Sequence, residues 1–384
     1  MIRIVIFGLV LGLVTWLLHR RLVRATDLPR RWARIADAVL VVLWALTLVG
    51  VGSGEVFDTG WARPVGFVGW VWLASLLYLL CGLLIIAIVS GVLRVARNRR
   101  GSTDTDGIDT SRRSALRVGT GVVVLGALAT AGYGVSEAAN PRLVRVRVPI
   151  ARLPQDFDGT RIALVSDLHV GPARGIEFTR RVVDLVNSEN VDLVALVGDL
   201  VDGTVAKVSP DLAPLADLRT PLGVYGVSGN HEFYADDGGR WLDVWDSLGI
   251  HTLRNERVEL RRGEGVLDLA GVHDLTSPAP YEPDLAAALD GHDPDRAVVL
   301  LAHQPKQVLE ASELGVDLQL SGHTHGGQMW PLGYLVPAQQ PSVTGLDRFG
   351  PTTLYTSRGA GAWGPPVRVG TPPEITILEL VRES

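Results

Sequence analysis

Aspartate, histidine and asparagine side chains gather in short polar clusters through the C-terminal part of this 384-residue chain. Two clusters carry paired side chains two residues apart, Asp167 with His169 and His323 with His325. In an extended turn, side chains at positions i and i+2 lie on the same side of the backbone, so each pair can present two ligands to one metal ion. Glycines beside nearly every cluster allow the backbone to approach an ion closely. The remaining polar residues of these clusters are Asp199, Asp202, Asn230, His231 and His303.

The mixture of ligand types limits which metals these residues can bind. Carboxylate, imidazole and amide oxygen together suit Mn²⁺, Fe or Zn²⁺, and they suit neither a Ca²⁺ cage nor a structural zinc site of the cysteine type. The one cysteine, Cys81, also excludes a disulfide framework and a thiolate cluster. Seven candidate ligands are too many for a tetrahedral catalytic zinc, which uses three protein ligands, so we expect two divalent ions that share a carboxylate.

Strands that alternate with helices must position these clusters. From Arg145 onward, short runs rich in valine, isoleucine, leucine and alanine alternate with helical patterns, such as the recurrence of Phe178, Val182, Leu185 and Val186. Each polar cluster follows an apolar run, at the strand end where the ligands of open α/β sheets gather. The runs predict strands at 161–165, 192–197, 224–227, 266–270, 297–301, 318–320, 353–356 and 375–380, and the helical patterns predict further helices at 241–247, 285–289 and 306–314.

In this order, the polar clusters resemble the motifs of the calcineurin-like metallophosphoesterases. The resemblance covers residues 157–384 and includes the specific Gly-His-Thr-His block at 322–325. Two glycine-rich blocks, 326–328 and 356–361, resemble a bacterial branch of that family whose members are often attached to membranes. The resemblance implies an α/β fold, a layered αββα sandwich, and the activity of a phosphoester hydrolase.

The resemblance also implies roles for individual residues. Asp199 would bridge the two ions, His231 would protonate the leaving oxygen, and Asp202 would hold the imidazole of His231 in orientation. Two-metal sites clamp the attacking and leaving oxygens and generate hydroxide near neutral pH, which predicts direct attack by metal-bound hydroxide without a phospho-enzyme. One ion would be bound by Asp167, His169, Asp199 and His325, and the other by Asp199, Asn230, His303 and His323.

The substrate class is narrowed by a departure from the protein-phosphatase branch. That branch has a phosphate-binding arginine where this sequence has Gly203, which favours phosphodiester or pyrophosphate substrates over phosphoproteins.

Two roles stay open for Arg358, a contact to phosphate or the stabilisation of a turn. Segment 329–337 is predicted to be an unusually apolar loop, either a contact for a membrane or lipid-linked substrate or ordinary core packing. The other histidines, expected to be structural or solvated, are His19, His251, His273 and His292.

Four apolar stretches near the N-terminus predict membrane-spanning helices. Short cytoplasmic loops are enriched in arginine and lysine, and the loops at 20–34 and 94–117 carry six and seven arginines. Both loops are therefore expected inside the cell, which places the N-terminus and everything after residue 135 outside it. Residues 110–117 resemble a twin-arginine export signal, with an ordinary cytoplasmic arginine pair as the alternative. The apolar stretches are 2–18, 36–51, 67–93 and 118–135.

Charge divides the chain into the same two parts. Residues 1–140 carry 15 Arg and 8 acidic residues, a net charge of +7, whereas residues 141–384 carry 21 basic and 33 acidic residues, a net charge of −12. The acidic part argues against nucleic acid as a partner, because binding to phosphates requires cationic side chains. We expect a membrane region at 1–140 and an extracytoplasmic phosphoesterase domain at 141–384, in a multi-pass protein of the cell membrane.

The predicted function is that of a membrane-anchored binuclear phosphoesterase, which hydrolyses phosphodiester or pyrophosphate bonds of an envelope or lipid-linked substrate. The alternative is a catalytically silent domain of the same fold, used as a binding module. The presence of both His231 and Asp202 argues against that alternative, since a scaffold does not need a general acid. A transporter or receptor is a further alternative, but apart from Asp37 at the edge of the second stretch the stretches carry no acid, histidine or lysine of the kind that marks ion pathways.

Overall fold

The computed structural model describes residues 2–24, 26, 28–99 and 106–383 of the chain. Its N-terminal part is a set of four long helices, which we call the helical region. Each of the four is long and apolar enough to cross a membrane, as the sequence predicts. The helices are α1 (Ile2–Leu18, continued by a π-helix over His19–Arg24), α2 (Arg30–Gly52), α3 (Thr59–Arg99) and α4 (Asp106–Ala138).

The helices α2, α3 and α4 extend beyond the predicted apolar stretches, because the flanking arginine-containing segments continue as helix and arginine is a good helix former. In the most apolar window of each helix, 17 to 22% of the residues are buried inside the protein. Helices that expose apolar side chains on most of their surface require a lipid environment. Residues 100–105 of the predicted third loop, and the side chains of Arg112 and Arg113 in the twin-arginine pattern, lie outside the described residues.

The C-terminal part contains two six-stranded sheets. We call these two sheets and the helices that pack on them the sandwich. The strands are β1 (Arg142–Ile150), β2 (Arg161–Val165), β3 (Leu193–Val197), β4 (Val224–Val227), β5 (His251–Thr252), β6 (Glu256–Arg262), β7 (Gly265–Gly271), β8 (Val298–Leu301), β9 (Leu318–Ser321), β10 (Gly345–Phe349), β11 (Thr352–Thr356) and β12 (Glu374–Arg382). The strand orders are β1-β12-β2-β3-β4-β5 and β10-β11-β9-β8-β7-β6. Strands β2, β3 and β4 are parallel neighbours, as are β8 and β9, so their carboxyl ends lie together.

Helices cover the outer face of each sheet, and the main core lies between the sheets. Along β2, the side chains of Ile162 and Leu164 join the core between the sheets, while Ala163 and Val165 face the helices, as the two-residue period of a strand requires. The αββα sandwich implied by the resemblance is therefore confirmed. The helices are α5 (Ile176–Asn187), α6 (Val205–Val208), α7 (Glu232–Ala235), α8 (Gly238–Ser247), α9 (Leu285–Ala288) and α10 (Val308–Glu313), the last preceded by a 3₁₀ turn at Pro305–Gln307.

The strands predicted from apolar runs are all present, and they occupy the inner positions of the two sheets. The four strands that the sequence analysis missed, β1, β5, β6 and β10, are the sheet edges. Edge strands carry charged side chains that oppose aggregation, and β6 has the sequence ERVELRR, so a search for apolar runs does not find them. Segment 329–337, predicted as a loop, instead contains a 3₁₀ helix at Leu332–Ala338.

Candidate metal centre

The candidate ligands lie where parallel strands of both sheets end. Asp167, Asp199 and Asn230 follow β2, β3 and β4 of the first sheet within three residues. His303 and His323 follow β8 and β9 of the second sheet within two residues. Because the sheets face each other across the core, these strand ends meet at one edge of the sandwich, where ligands of such sheets are expected.

The backbone of the candidate ligands is strained. Five of the seven candidates have φ between 48° and 70°, in the left-handed region, which residues other than glycine rarely adopt and which costs on the order of 1–3 kcal/mol per residue. A Cβ atom at Gly229 or Gly322 would collide with the carboxylate of Asp199 or Asp167. Four of these five polar residues are buried and His323 is half-buried, and strain concentrated on such residues is typical of functional sites. The five residues are Asp167, His169, Asp199, His323 and His325.

One group of ligand atoms combines Asp167, His169 and His325. Nε2 of His325 lies 3.0 Å from Nε2 of His169 and 3.3 Å from Oδ1 of Asp167. All three residues are buried. Burial, and then the positive charge of Arg368, hold the pKa of His325 well below its usual value. This shift favours the neutral ring, and metal ions bind neutral imidazole.

A second group combines Asp199, His303 and His323. Nε2 of His303 lies 3.1 Å from Oδ2 of Asp199 and 3.2 Å from Nδ1 of His323. Nδ1 of His323 is also 3.0 Å from Oδ1 of Asn230. Oδ2 of Asp199 is 3.9 Å from Nε2 of His169 in the first group. Asp199 therefore lies between the two groups, as a bridging ligand must.

The chemistry of these atoms fits divalent cations. Nδ1 of His303 lies 2.9 Å from the carbonyl oxygen of Val197, which can only accept, so Nδ1 donates and Nε2 of the neutral ring carries a lone pair. That lone pair faces the Asp199 carboxylate, and two acceptors this close require a proton or a cation between them. Burial by itself lowers the pKa of His303, but Asp199 raises it well above its usual value. Burial by itself raises the pKa of Asp199, but His303 and His231 hold it well below its usual range.

His231 and Asp202 form a pair beside both groups. Nδ1 of His231 lies 2.5 Å from Oδ1 of Asp202, and Nδ1 of His169 lies 3.1 Å from the same oxygen. Burial by itself lowers the pKa of His231, but the negative charges of Asp199 and Asp202 have the larger effect and raise this pKa to about 9. Nε2 of His231 is 4.0 Å from Oδ2 of Asp199, so geometry alone would also allow His231 to be a ligand. The structure thus brings all the predicted site residues together, and their individual roles stay predictions.

Glu232 supports the site, although the sequence analysis assigns it no role. Its buried carboxylate accepts hydrogen bonds from the backbone N–H groups of Asp199 at 3.0 Å, Leu200 at 2.8 Å and Gly229 at 2.7 Å. It thereby joins the loops that follow β3 and β4. Burial, and then repulsion by Asp199, raise the pKa of Glu232 to about 7. Its position directly after His231 was the available signal in the sequence.

Arg368 is a second supporting residue that the sequence analysis missed. Its fully buried guanidinium donates to the carbonyl oxygens of His325 at 2.8 Å and Gly361 at 2.7 Å, and it lies 2.9 Å from Nδ1 of His325. Burial lowers the pKa of Arg368 to about 9. Arg358, in contrast, forms an ion pair with the buried carboxylate of Glu374, which favours the turn-stabilising alternative for that residue.

In the described part of the chain, the four histidines expected to be structural or solvated belong to neither group of candidate metal ligands. Nδ1 of His19 is 2.6 Å from Oδ1 of Asp37 in the helical region. Nδ1 of His292 is 2.8 Å from the carbonyl oxygen of Leu289. His273 is buried beside Ser228, and His251 is exposed on β5.

Comparisons with known proteins agree with this site. A family model described as Calcineurin-like phosphoesterase matches residues 160–327. A "Transmembrane protein with metallophosphoesterase domain" from Bos taurus is 35% identical over 327 residues, which cover 82% of this chain and 73% of that protein. An "Uncharacterized metallophosphoesterase" from Helicobacter pylori is 36% identical over 275 residues, covering 71% and 72%. "Uncharacterized metallophosphoesterase YkuE" from Bacillus subtilis is 31% identical over 287 residues, covering 70% and 97%. This chain belongs to the calcineurin-like phosphoesterases.

Proposed function

We propose that this protein is a membrane-anchored phosphoesterase with two divalent ions, Mn, Fe or Zn, that hydrolyses phosphodiester or pyrophosphate bonds of an envelope or lipid-linked substrate. Residues 1–140 form the membrane region in this proposal, and residues 141–384 form the catalytic domain. One observation carries the proposal: Asp199 lies between two groups of candidate ligand atoms, and His231 lies beside both.

The roles of the chain's own residues follow from their contacts. Divalent ions bound at such a centre would neutralise charge on the phosphate and activate water. Asp199 would hold both ions in register, since its Oδ2 faces both groups. Asp202 fixes Nδ1 of His231, which leaves Nε2 free to donate a proton to the leaving oxygen, as a general acid must. Gly203, in place of a phosphate-binding arginine, supports a diester or pyrophosphate substrate.

The activity is tested on the full chain, purified in detergent and supplied with Mn²⁺. Phosphomonoesters, phosphodiesters and nucleotide pyrophosphates are compared at equal concentration, with a chelator as the control. We expect diesters or pyrophosphates to be hydrolysed fastest, and the chelator to abolish hydrolysis. If the metal-loaded protein binds these compounds and hydrolyses none of them, the silent binding module is the better description.

The proposal also places the sandwich outside the cytoplasm. Its support is that the sandwich contacts helix ends opposite the arginine-rich loops. Arg3, near the start of α1, donates to the carbonyl oxygen of Tyr234 at 2.9 Å, and Arg174 donates to that of Ala138, at the end of α4, at 2.7 Å. Arginine-rich loops of membrane proteins prefer the cytoplasm, so the opposite helix ends, with the sandwich, belong outside.

Reporter fusions test this orientation. Alkaline phosphatase folds only outside the cytoplasm, so a fusion after Ala139 should be active and a fusion after Arg99 inactive. The reverse pattern would place the catalytic domain in the cytoplasm while leaving its chemistry unchanged.

A further inference from the structure

A cavity of about 440 Å³ adjoins the candidate metal centre and has two unlike sides. Asp199, Asn230, His231 and the histidines of the 322–325 block line one side. The apolar residues of the lining, which we call the apolar wall, are Met329, Leu332, Leu335, Val336 and Trp363, and three glutamines, Gln328, Gln339 and Gln340, also line the cavity. The ring centroids of Trp363 and His231 are 6.1 Å apart, so the wall begins directly beside the proposed general acid.

The apolar wall continues into an exposed apolar surface. Leu335 is 66% exposed, and Trp330, Tyr334 and Trp363 are also largely exposed. Three aromatic side chains and a leucine in solvent are costly for a protein surface that contacts only water, and such patches mark membrane or ligand contacts. Aromatic residues of this kind are enriched at membrane–water interfaces.

The apolar wall is also continuous with the helical region. Met329 and Leu332 pack in one apolar cluster with Ala74 of α3 and Ala131 of α4. Next to Trp363, Gly364 lies against the Trp70 ring of α3. The apolar wall therefore lies directly against helices that are suited to a bilayer.

We propose that the apolar wall binds the hydrocarbon chain of a membrane phospholipid whose phosphodiester group lies at the metal centre. This inference rests on the proposed function and commits it to one substrate class. Burying a methylene group contributes enough free energy to strengthen binding about fourfold. The wall would thus select amphiphilic diesters over water-soluble diesters with the same phosphate chemistry.

The test uses the full chain in amphipol with Mn²⁺. Its substrates are phosphatidylglycerols with butyryl, hexanoyl and octanoyl chains, each below its aggregation threshold, and bis(nitrophenyl) phosphate as the water-soluble diester. We expect kcat/KM to rise with chain length, by up to about fourfold for each methylene that enters the wall. Leu335→Asn should reduce kcat/KM for the octanoyl lipid at least tenfold, a much larger loss than for the water-soluble diester. Leu309→Asn, at a 50% exposed leucine of α10, is the matched control and should change neither.

The outcomes separate this inference from the proposed function. Hydrolysis of the water-soluble diester with no dependence on chain length would overturn the lipid inference and leave the phosphoesterase intact. Absence of all hydrolysis would count against the proposed function. In that case a phosphatidylglycerol with a photoactivatable acyl chain still tests the wall, since its label should fall on 329–338, and label confined to α1–α4 would overturn the inference.

A different set of contacts concerns the loop that carries Asp202. The carbonyl oxygen of Gly54, in the connection between α2 and α3, accepts a hydrogen bond from the backbone N–H of Thr204 at 2.9 Å. In α3, Nε of Arg63 donates to the carbonyl oxygen of Gly171 at 2.8 Å, and the guanidinium forms an ion pair with Asp211. The two contacted loops are themselves joined, because the N–H of Asp202 donates to the carbonyl oxygen of Val170 at 2.8 Å.

We infer that Arg63 is a positioning residue, which fixes Asp202 and through it His231, so that the helical region is part of the catalytic scaffold. This second inference also rests on the proposed function. Residues that orient other groups of a metal site typically contribute 10- to 100-fold to affinity or activity. Loss of Arg63 should therefore resemble a weaker form of the loss of Asp202.

The test measures kcat and KM of Arg63→Met on alkyl and nitrophenyl diesters, with metal content. We expect kcat on alkyl diesters to fall about tenfold, a smaller loss on nitrophenyl diesters, unchanged KM and unchanged metal. Arg63→Lys should recover part of the loss, and Arg348→Met, at an exposed arginine of β10, should have no effect. Asp202→Asn is measured in parallel and should lose more kcat on alkyl diesters than on nitrophenyl diesters. If it does, an Arg63→Met variant that loses kcat equally on both ester classes, or loses no kcat, would overturn the inference. If Asp202→Asn does not show this difference either, the proposed role of His231 fails instead.

Discussion

The two sides of the cavity are built by different physical means. On the ligand side, buried polar residues with strained backbone end the inner strands of two sheets. On the apolar wall, a 3₁₀ helix and a tryptophan are exposed and rest on the helical region. This difference in construction indicates that the two sides of the cavity have different roles. In the proposed function, the strand ends would fix the atoms of the reaction, while the wall, which makes no such demand on geometry, would select the substrate.

Among the ligand-side residues, substitution of Asp199 should cause the greatest loss of activity. Its carboxylate faces both ligand groups, so Asp199→Ala should lower bound metal well below two ions per chain and reduce hydrolysis of every substrate to background. Metal is measured by plasma mass spectrometry and activity on lipid and water-soluble diesters. Asp184→Ala, at an exposed aspartate of α5, is the control. Full metal occupancy in Asp199→Ala would contradict its assignment as the shared ligand.

An intermediate effect is expected at His231. General acid catalysis typically contributes about 10²- to 10⁴-fold, most of it where the leaving alkoxide is strongly basic. His231→Ala should therefore keep its metal, lose its rate on alkyl diesters, and retain far more of it on nitrophenyl diesters, whose phenolate leaves without a proton. The measurement is kcat on both ester classes beside metal content. Loss of metal would make His231 a ligand, and equal losses would make it a phosphate contact.

The smallest effect on the ligand side is expected at Asp202, which contacts histidines and belongs to neither ligand group. Asp202→Asn keeps the shape of the side chain but weakens its hold on the rings of His169 and His231. A loss of about 10- to 100-fold is expected, concentrated on alkyl diesters. A loss as large as that of Asp199→Ala, accompanied by loss of metal, would show that the boundary between ligands and supporting residues lies elsewhere.

The four inner strands of each sheet and the ligand clusters that follow them could be predicted because the information is local. An apolar run predicts a buried strand, and a polar cluster directly after it predicts a site at the strand end. The edge strands could not be found in this way, since charges hide the apolar alternation of β1, β6 and β10, and β5 has only two residues. Arg368 could not be found either, because its partner His325 lies 43 residues away. The contact of Gly54 with Thr204 could not be predicted either, because the two residues are 150 positions apart in the sequence.

Electron paramagnetic resonance of the Mn²⁺-titrated full chain tests whether two ions share Asp199. In two-metal sites the ions lie about 3.5 to 4 Å apart, close enough for their spins to couple. We expect two Mn²⁺ per chain at saturation and the spectrum of a spin-coupled pair, which disappears in Asp199→Ala. A single ion per chain, or two ions that each give the hyperfine pattern of isolated Mn²⁺, would contradict this expectation.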